Sequence, residues 1–264
     1  MTNQWDNIFL YRFNTAMMGR LHGFLSTFIA AEALFFYYYS GSTLGTAFIN
    51  LFSMFISYPT IFVVNYAIPL LIVYFSASLP DVDAADSHYR HDWNPARLMS
   101  RNPLFVFTYA FVYKPLSMMT GNRATWKHRG VMHTPIGLAI TSCVWGVIIL
   151  FVAKYVGGQL EFYLRGSVEF SQELWVYFSC LPLSYGLHII EDSLTVTGVR
   201  FFGRVVRGVL VTGKTDGLFV WAVIVLSLSL DAYFASINYS VLVAGPVSLS
   251  IFVFAASTVW VFAN

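Results

Sequence analysis

Residues 103–119 read PLFVFTYAFVYKPLSMM, and whether this segment crosses a membrane decides the fold. It is apolar for about eleven residues before Lys114 and Pro115 interrupt it. A bilayer-spanning helix needs about 20 apolar residues, so the segment is expected to lie in the interface or be buried in protein. The consequence concerns its flanks. A polar stretch rich in Asp, Arg and His, Pro80–Asn102, precedes it, and KHRGVMHT, Lys127–Thr134, follows it. If residues 103–119 do not cross, those two flanks share one membrane face. If they cross, the flanks are separated by the full bilayer.

The chain as a whole belongs in a membrane. Of 264 residues, 57% are hydrophobic and 18% aromatic, and only 11% are charged. A soluble domain carries about 25% charged residues. Mean hydropathy is +0.65. The formal charge of +2 is the ordinary loop bias of a membrane protein and points to no nucleic-acid partner. Cys143 and Cys180 both lie in apolar runs and read as buried structural thiols, with neither a disulfide framework nor a CxxC knuckle. The first twenty residues lack the pattern of a cleavable signal peptide, so the first membrane helix is expected to do the targeting.

The first span is expected from about His22 to Tyr39, with Glu32 near its middle. Leu44–Leu79 is too long for one straight crossing and is expected to be broken by Pro59 and Pro69. Its half from Pro59 is taken as the span, and the half before it as an interfacial, re-entrant or tilted helix. Further spans are expected at about 134–153, Leu174–Asp192, Leu218–Ala235 and Val241–Ala263, with Lys154–Glu173 a polar loop. The fold expected is therefore all-α and polytopic: one domain over residues 1–264, of about six spans plus interfacial helices.

Charge orients it. Pro80–Val131 holds seven Lys/Arg and Ser193–Gly217 four, whereas Lys154–Glu173 holds two beside three Glu. Positively charged loops stay inside. Six spans with both termini in the cytoplasm satisfy every loop, and place the protein as a multi-pass component of the inner (plasma) membrane. His22, Asp81, Asp83, His128, His133, His188 and Asp192 then fall at the cytoplasmic ends of spans.

These residues are costly to bury near a membrane and mark a candidate site. His188 and Asp192 are four apart on one helix face, and Thr195 continues the stripe. Imidazole and carboxylate suit zinc. Asp81 and Asp83, in LPDVD, could bridge metals or be solvated loop residues. His128 and His133 are five apart and would diverge on a continuous helix, but Thr134–Pro135 reads as an N-cap followed by proline at the first helical position. His133 would then sit just outside the helix, with Gly130 letting the loop fold back. Arg129 and Lys127 suit an anionic phosphate, or equally lipid head groups.

Taken in order, LPDVD, HRGVMHT and GLHIIEDSLTVTG resemble the LexA-binding, inner-membrane-associated hydrolases, also called YdjM-like membrane-bound metal-dependent hydrolases. Their pattern is LPD-x-D, HRG-x-T-H-S and H-x-x-x-D-x-x-T-x-x-G. The matching positions are Pro80, Asp81, Asp83, His128, Arg129, Gly130, His133, His188, Asp192, Thr195 and Gly198, with Met132 and Thr134 as departures. His22 supplies the histidine such proteins tend to have near the first span. The resemblance implies a divalent metal, Zn2+ first, as one or more ions, in a fold with distant likeness to zinc phospholipase C. His22, Asp81, His133, His188 and Asp192 would be ligands. Asp83 and His128 would be further ligands or groups that orient them, and Arg129 would hold a phosphate oxygen.

Two functions are open on this basis. One is hydrolysis of a phosphoester in a phospholipid or lipid-linked substrate by a metal-activated water. The other is a non-enzymatic inner-membrane interaction or regulatory protein with a structural metal site and a protein partner, the direction in which the resembled family's LexA-binding label points. A literal P-loop match, Gly208–Thr215, lacks the βαβ context that nucleotide binding needs. Glu32 could serve a proton or substrate path, or be a helix–helix hydrogen-bond partner, Asn65 being a candidate acceptor or donor.

Overall fold

Prolines partition the apolar N-terminal half into helices. The computed structural model describes residues 23–84, 103–119, 130–163, 170–201, 204–210, 216–237, 239–241 and 255–256. Helix α1 covers residues 23–39 and α2 covers Leu44–Ser57. At Tyr58 the backbone leaves the helical region (φ −134°, ψ 60°), because Pro59 disfavours that region for the residue before it. Helix α3 then comprises Pro59–Phe62, a π-helical turn Val63–Ala67, and Ile68–Ser76. A 3-10 turn, Pro80–Ala84, follows.

The expected break at Pro69 does not occur, and the π turn is the reason. A proline inside a helix lacks its N–H and its ring collides with the carbonyl four residues back. Here that carbonyl belongs to Asn65, in the centre of the widened turn. Helix α4 repeats the device: Pro103–Thr108, a π turn Tyr109–Tyr113, and Lys114–Met119. Pro115 follows this turn at the same spacing as Pro69 follows the first, and the helix runs on past it.

Helix α5 is Pro135–Tyr163, α6 is Phe170–Ser193 and α7 is Asp216–Ser236. The polar stretch from Lys154 was expected to be loop but remains helical to Tyr163. Its polarity ends the apolar run without supplying a proline to end the helix. Between α6 and α7 a small hairpin pairs β1, Val199–Phe201, with β2, Arg204–Val206, antiparallel and with Val199 opposite Val206. The chain is thus mostly helical rather than wholly so.

Three helical stretches among the described residues are long and apolar enough to cross a membrane: Pro59–Val82, Pro135–Val152 and Gly217–Ser236. Helix α4 is not one of them. It is held against protein instead, with Val112 and Tyr113 buried and the Trp145 indole N–H donating to Thr108 Oγ1 at 2.6 Å.

Buried hydrogen bonds set the helix directions. Tyr177 on α6 donates to the Val64 carbonyl of α3 at 2.9 Å, and Ser184 to the Val73 carbonyl at 2.6 Å. Both helices therefore run toward the same end. Helix α5 starts there and runs back along α6, their approach permitted by Gly146, where a Cβ would lie 2.3 Å from the Phe178 ring. At the end where α3 and α6 finish, Leu79, Val82, Tyr113, Met132, Tyr185 and Ile189 share one core. The opposite end joins α1, α2 and the segment after α7, through Leu34, Phe35, Leu44, Tyr66 and Val241.

Two expectations need correction. Glu32 is buried but pairs with α7, not with Asn65: Ser227 Oγ donates to its Oε1 at 2.6 Å. Cys143 is exposed on α5, while Cys180 is buried as expected. An exposed thiol in an apolar run faces the surroundings of the bundle rather than its core.

Candidate metal centre

Three helix ends deliver four side chains to one point. Asp81 lies in the 3-10 turn after α3. His133 closes a second 3-10 turn, Val131–His133, before α5. His188 and Asp192 occupy the last turns of α6, one helical turn apart.

The turn that carries His133 is built by its neighbours. Thr134 is extended (φ −114°, ψ 162°), and its hydroxyl accepts from the Gly137 N–H at 3.3 Å while donating to the Val131 carbonyl at 2.6 Å. This is the N-cap expected of Thr134–Pro135. Gly137 has no room for a side chain: a Cβ would sit 2.5 Å from the Val131 carbonyl oxygen and 2.7 Å from Met132 Cα. From α6, the Tyr185 hydroxyl donates to the Met132 carbonyl at 2.5 Å.

The remaining motif positions shape the exit from α6. The Thr195 hydroxyl donates to the Asp192 carbonyl at 2.7 Å and accepts from the Gly198 N–H at 3.4 Å, so it caps the helix and does not extend the ligand stripe. Gly198 has φ +62°, a left-handed conformation that glycine adopts without penalty. Its pairing segment returns to lie beside residues 194–196, with the Gly208 and Leu210 N–H groups donating to the Thr195 and Leu194 carbonyls, each at 3.0 Å. A Cβ on Gly208 would meet the Leu194 carbonyl oxygen at 2.1 Å. The first glycine of the P-loop pattern is thus explained by backbone packing.

The four side chains stand close together. His133 Nε2 is 3.2 Å from Asp192 Oδ2 and 3.6 Å from Asp81 Oδ1. His188 Nε2 is 3.7 Å from Asp192 Oδ2 and 3.6 Å from Asp81 Oδ1. One donor atom from each residue lies within 4.8 Å of all the others. Charge-assisted hydrogen bonds close to about 2.7–2.9 Å, and every one of these separations is longer. These four separations lie near the spacing of ligands around one ion, about 3.3–3.4 Å for ligands about 2.0–2.1 Å from zinc, and the remaining two are within 4.8 Å.

Burial points the same way. The His133 and His188 side chains are 0% exposed and that of Asp192 3%, against 29% for Asp81. Two carboxylates this close inside protein need compensating positive charge, which a divalent cation between two neutral imidazoles would supply. The C-terminal ends of α3 and α6 also face the cluster, and each favours a cation by about 0.3–1 kcal/mol. Asp81, His133, His188 and Asp192 therefore form a group that could hold a metal ion.

The model of the YdjM inner membrane protein family matches residues 39–262. The chain belongs to that family. No curated protein and no solved structure matches significantly. The family match starts after His22, which together with His128 and Arg129 lies outside the described residues. For Asp83 the structure gives a backbone position in the Pro80–Ala84 turn.

Several residues that build the site escaped sequence inspection. Tyr185 and Ser184 sit three and four positions before His188, where a hydroxyl in an apolar helix signals a buried partner. Gly137 follows the His133 turn closely enough to suggest a close approach. Glu191 is buried beside Asp192.

Proposed function

We propose that this inner-membrane family member is a metal-dependent hydrolase of phosphoesters, its substrate a phospholipid or lipid-linked molecule. The observation that carries the proposal is the set of donor separations: three segments distant in sequence present two imidazoles and two carboxylates at the spacing of ligands around one small cation. The donor set of two nitrogens and two oxygens suits Zn2+. When bound, such a cation supplies Lewis acidity, which acidifies water and polarises a phosphoryl oxygen.

The chain's own residues would do the rest. Asp81, partly exposed, forms the accessible edge of the cluster, where a substrate would approach. Arg129, four positions before His133, would pair with a phosphate oxygen as charge develops. His128 and Asp83 would complete or orient the ligand set, and His22 would add a ligand from the start of α1. The loop charges, with the common direction of α3 and α6, support six spans, cytoplasmic termini and a site on the cytoplasmic face of a single domain.

One observation favours a second reading. Structural zinc sites use four protein ligands and are closed, while catalytic ones keep a position open. Four candidate ligands gather here among the described residues, three of them nearly inaccessible. A structural centre in a non-enzymatic interaction protein would look like this.

Elemental analysis of the purified protein, with an Asp192→Asn variant, tests both. Near-stoichiometric metal in the wild type is expected. A catalytic centre loses turnover of a phosphoester in the variant while the protein still folds, and a structural one loses folding or assembly. Metal-free wild-type protein with full function overturns the metal in either role.

A further inference from the structure

Helix α6 carries two of the four candidate ligands, and it also grips the segments that carry the other two. Ser184 Oγ donates to the Val73 carbonyl of α3 at 2.6 Å, eight residues before Asp81. Tyr185 Oη donates to the Met132 carbonyl at 2.5 Å, the residue immediately before His133. Both side chains are completely buried. They are neighbours in sequence, and lie one turn before His188.

We propose that Tyr185 and Ser184 are positioning residues that fix where His133 and Asp81 stand relative to His188 and Asp192. The inference deepens the metal-site reading above and rests on it. Each bond joins a hydroxyl on α6 to a backbone carbonyl, so it sets the height of the partner segment along α6 and not merely its proximity. The Met132 carbonyl belongs to a three-residue turn, and turning that peptide swings the next side chain, His133. Its Nε2 stands 3.2 Å from Asp192 Oδ2, and metal–ligand distances tolerate only about 0.2 Å of error. Losing the Tyr185 hydroxyl removes a buried bond from α6 to the backbone of this turn.

The structure contains its own control. Tyr177 is also on α6, is buried, and donates to the Val64 carbonyl of α3 at 2.9 Å. It makes the same kind of bond about three helical turns, roughly 16 Å, before His188. Tyr177→Phe should loosen the bundle about as much as Tyr185→Phe and leave the ligands in place.

The test uses the full chain in detergent, stripped of metal and titrated with Co2+, whose visible absorption reports coordination geometry. Wild-type protein should bind Co2+ with the intense bands of a tetrahedral site, and His188→Ala should abolish them. Tyr185→Phe should weaken binding about tenfold, the lower end of the range for residues that orient a ligand, and should dim and shift the bands. Ser184→Ala should do the same to a smaller degree and serves if Tyr185→Phe does not fold. Tyr177→Phe should keep wild-type affinity and spectrum. Wild-type behaviour in both Tyr185→Phe and Ser184→Ala overturns the positioning role while leaving the metal site standing. So does an equal spectral change in Tyr177→Phe. Wild-type protein without a His188-dependent Co2+ signal overturns the metal site, and the positioning role with it.

Discussion

Replacing Gly137 with alanine adds one methyl group to the first turn of α5, and the structure fixes what it strikes. The Cβ would lie 2.5 Å from the Val131 carbonyl oxygen, 2.7 Å from Met132 Cα and 2.8 Å from the Met132 carbonyl oxygen. All three are backbone atoms of the His133 turn, so no side-chain rotation relieves the contact. Ordinary van der Waals contact begins at 3.4 Å, so the turn must retreat by about 0.9 Å, several times the ~0.2 Å that metal coordination tolerates. Overpacking of this kind costs about 1–3 kcal/mol. Gly137→Ala should therefore lower the melting temperature of the purified protein and, at limiting metal, leave it with well under half the wild-type metal content. Gly186→Ala is the matched control: it lies on α6 close to His188, and its Cβ would meet nothing within 4 Å. Alanine there should stabilise by roughly 0.5–1 kcal/mol and keep the metal. Thermal unfolding and elemental analysis on the three proteins decide the matter. A Gly137→Ala protein with full metal and an unchanged melt would refute the claim that this close approach holds His133.

Three further substitutions, at two positions, probe the structure away from the candidate metal centre. Gly198→Ala forces a side chain into φ +62° with its Cβ 2.3 Å from the Val206 carbonyl, so it should cost roughly 2–4 kcal/mol in thermal stability; an unchanged melt would contradict the turn. Glu32→Gln retains the oxygen that accepts from Ser227 and should melt like wild type, whereas Glu32→Ala strands that buried hydroxyl and should lose about 1–3 kcal/mol. Loss of cellular function in a fully stable Glu32→Gln protein would instead assign the carboxyl to a proton path.

What the sequence disclosed, and what it hid, follows the range of the interactions. The break at Pro59, the helix start at Thr134–Pro135 and the shared face of His188 and Asp192 are local, set by proline geometry, capping and helical spacing, and were legible. Pro69 misled because a proline is a barrier only to a regular helix, and the π turn just before it removes the clash, as another does before Pro115. The partner of Glu32 was not legible: Ser227 is 195 residues away, and nothing near either residue specifies the pairing. The hairpin after α6 was hidden for a different reason. Its strands have three residues each, too few to alternate visibly, and its basic residues read as a loop. Its anchor is Gly208, whose absent side chain admits the Leu194 backbone.

The segment that decides the fold proves to be a strut. Asp81 and His133 are separated by about fifty residues, and closing so long a flexible loop costs about 3.5 kcal/mol of chain entropy. Their donor atoms nonetheless stand 3.6 Å apart, so the intervening chain cannot make a single crossing: it must return to the level it left. Helix α4 reduces the length that closes freely. Its Thr108 is tied to Trp145, ten residues into α5, by a buried 2.6 Å bond, and its Tyr113 shares a core with Val82 of the Asp81 turn and Met132 of the His133 turn. The π turn Tyr109–Tyr113 lies between those two anchors. A helix that spanned the bilayer would deliver its two flanking segments to opposite ends of the bundle, whereas the Asp81 and His133 turns belong to the same end. Being too short and too often interrupted to cross is what lets α4 hold the turns of Asp81 and His133 together.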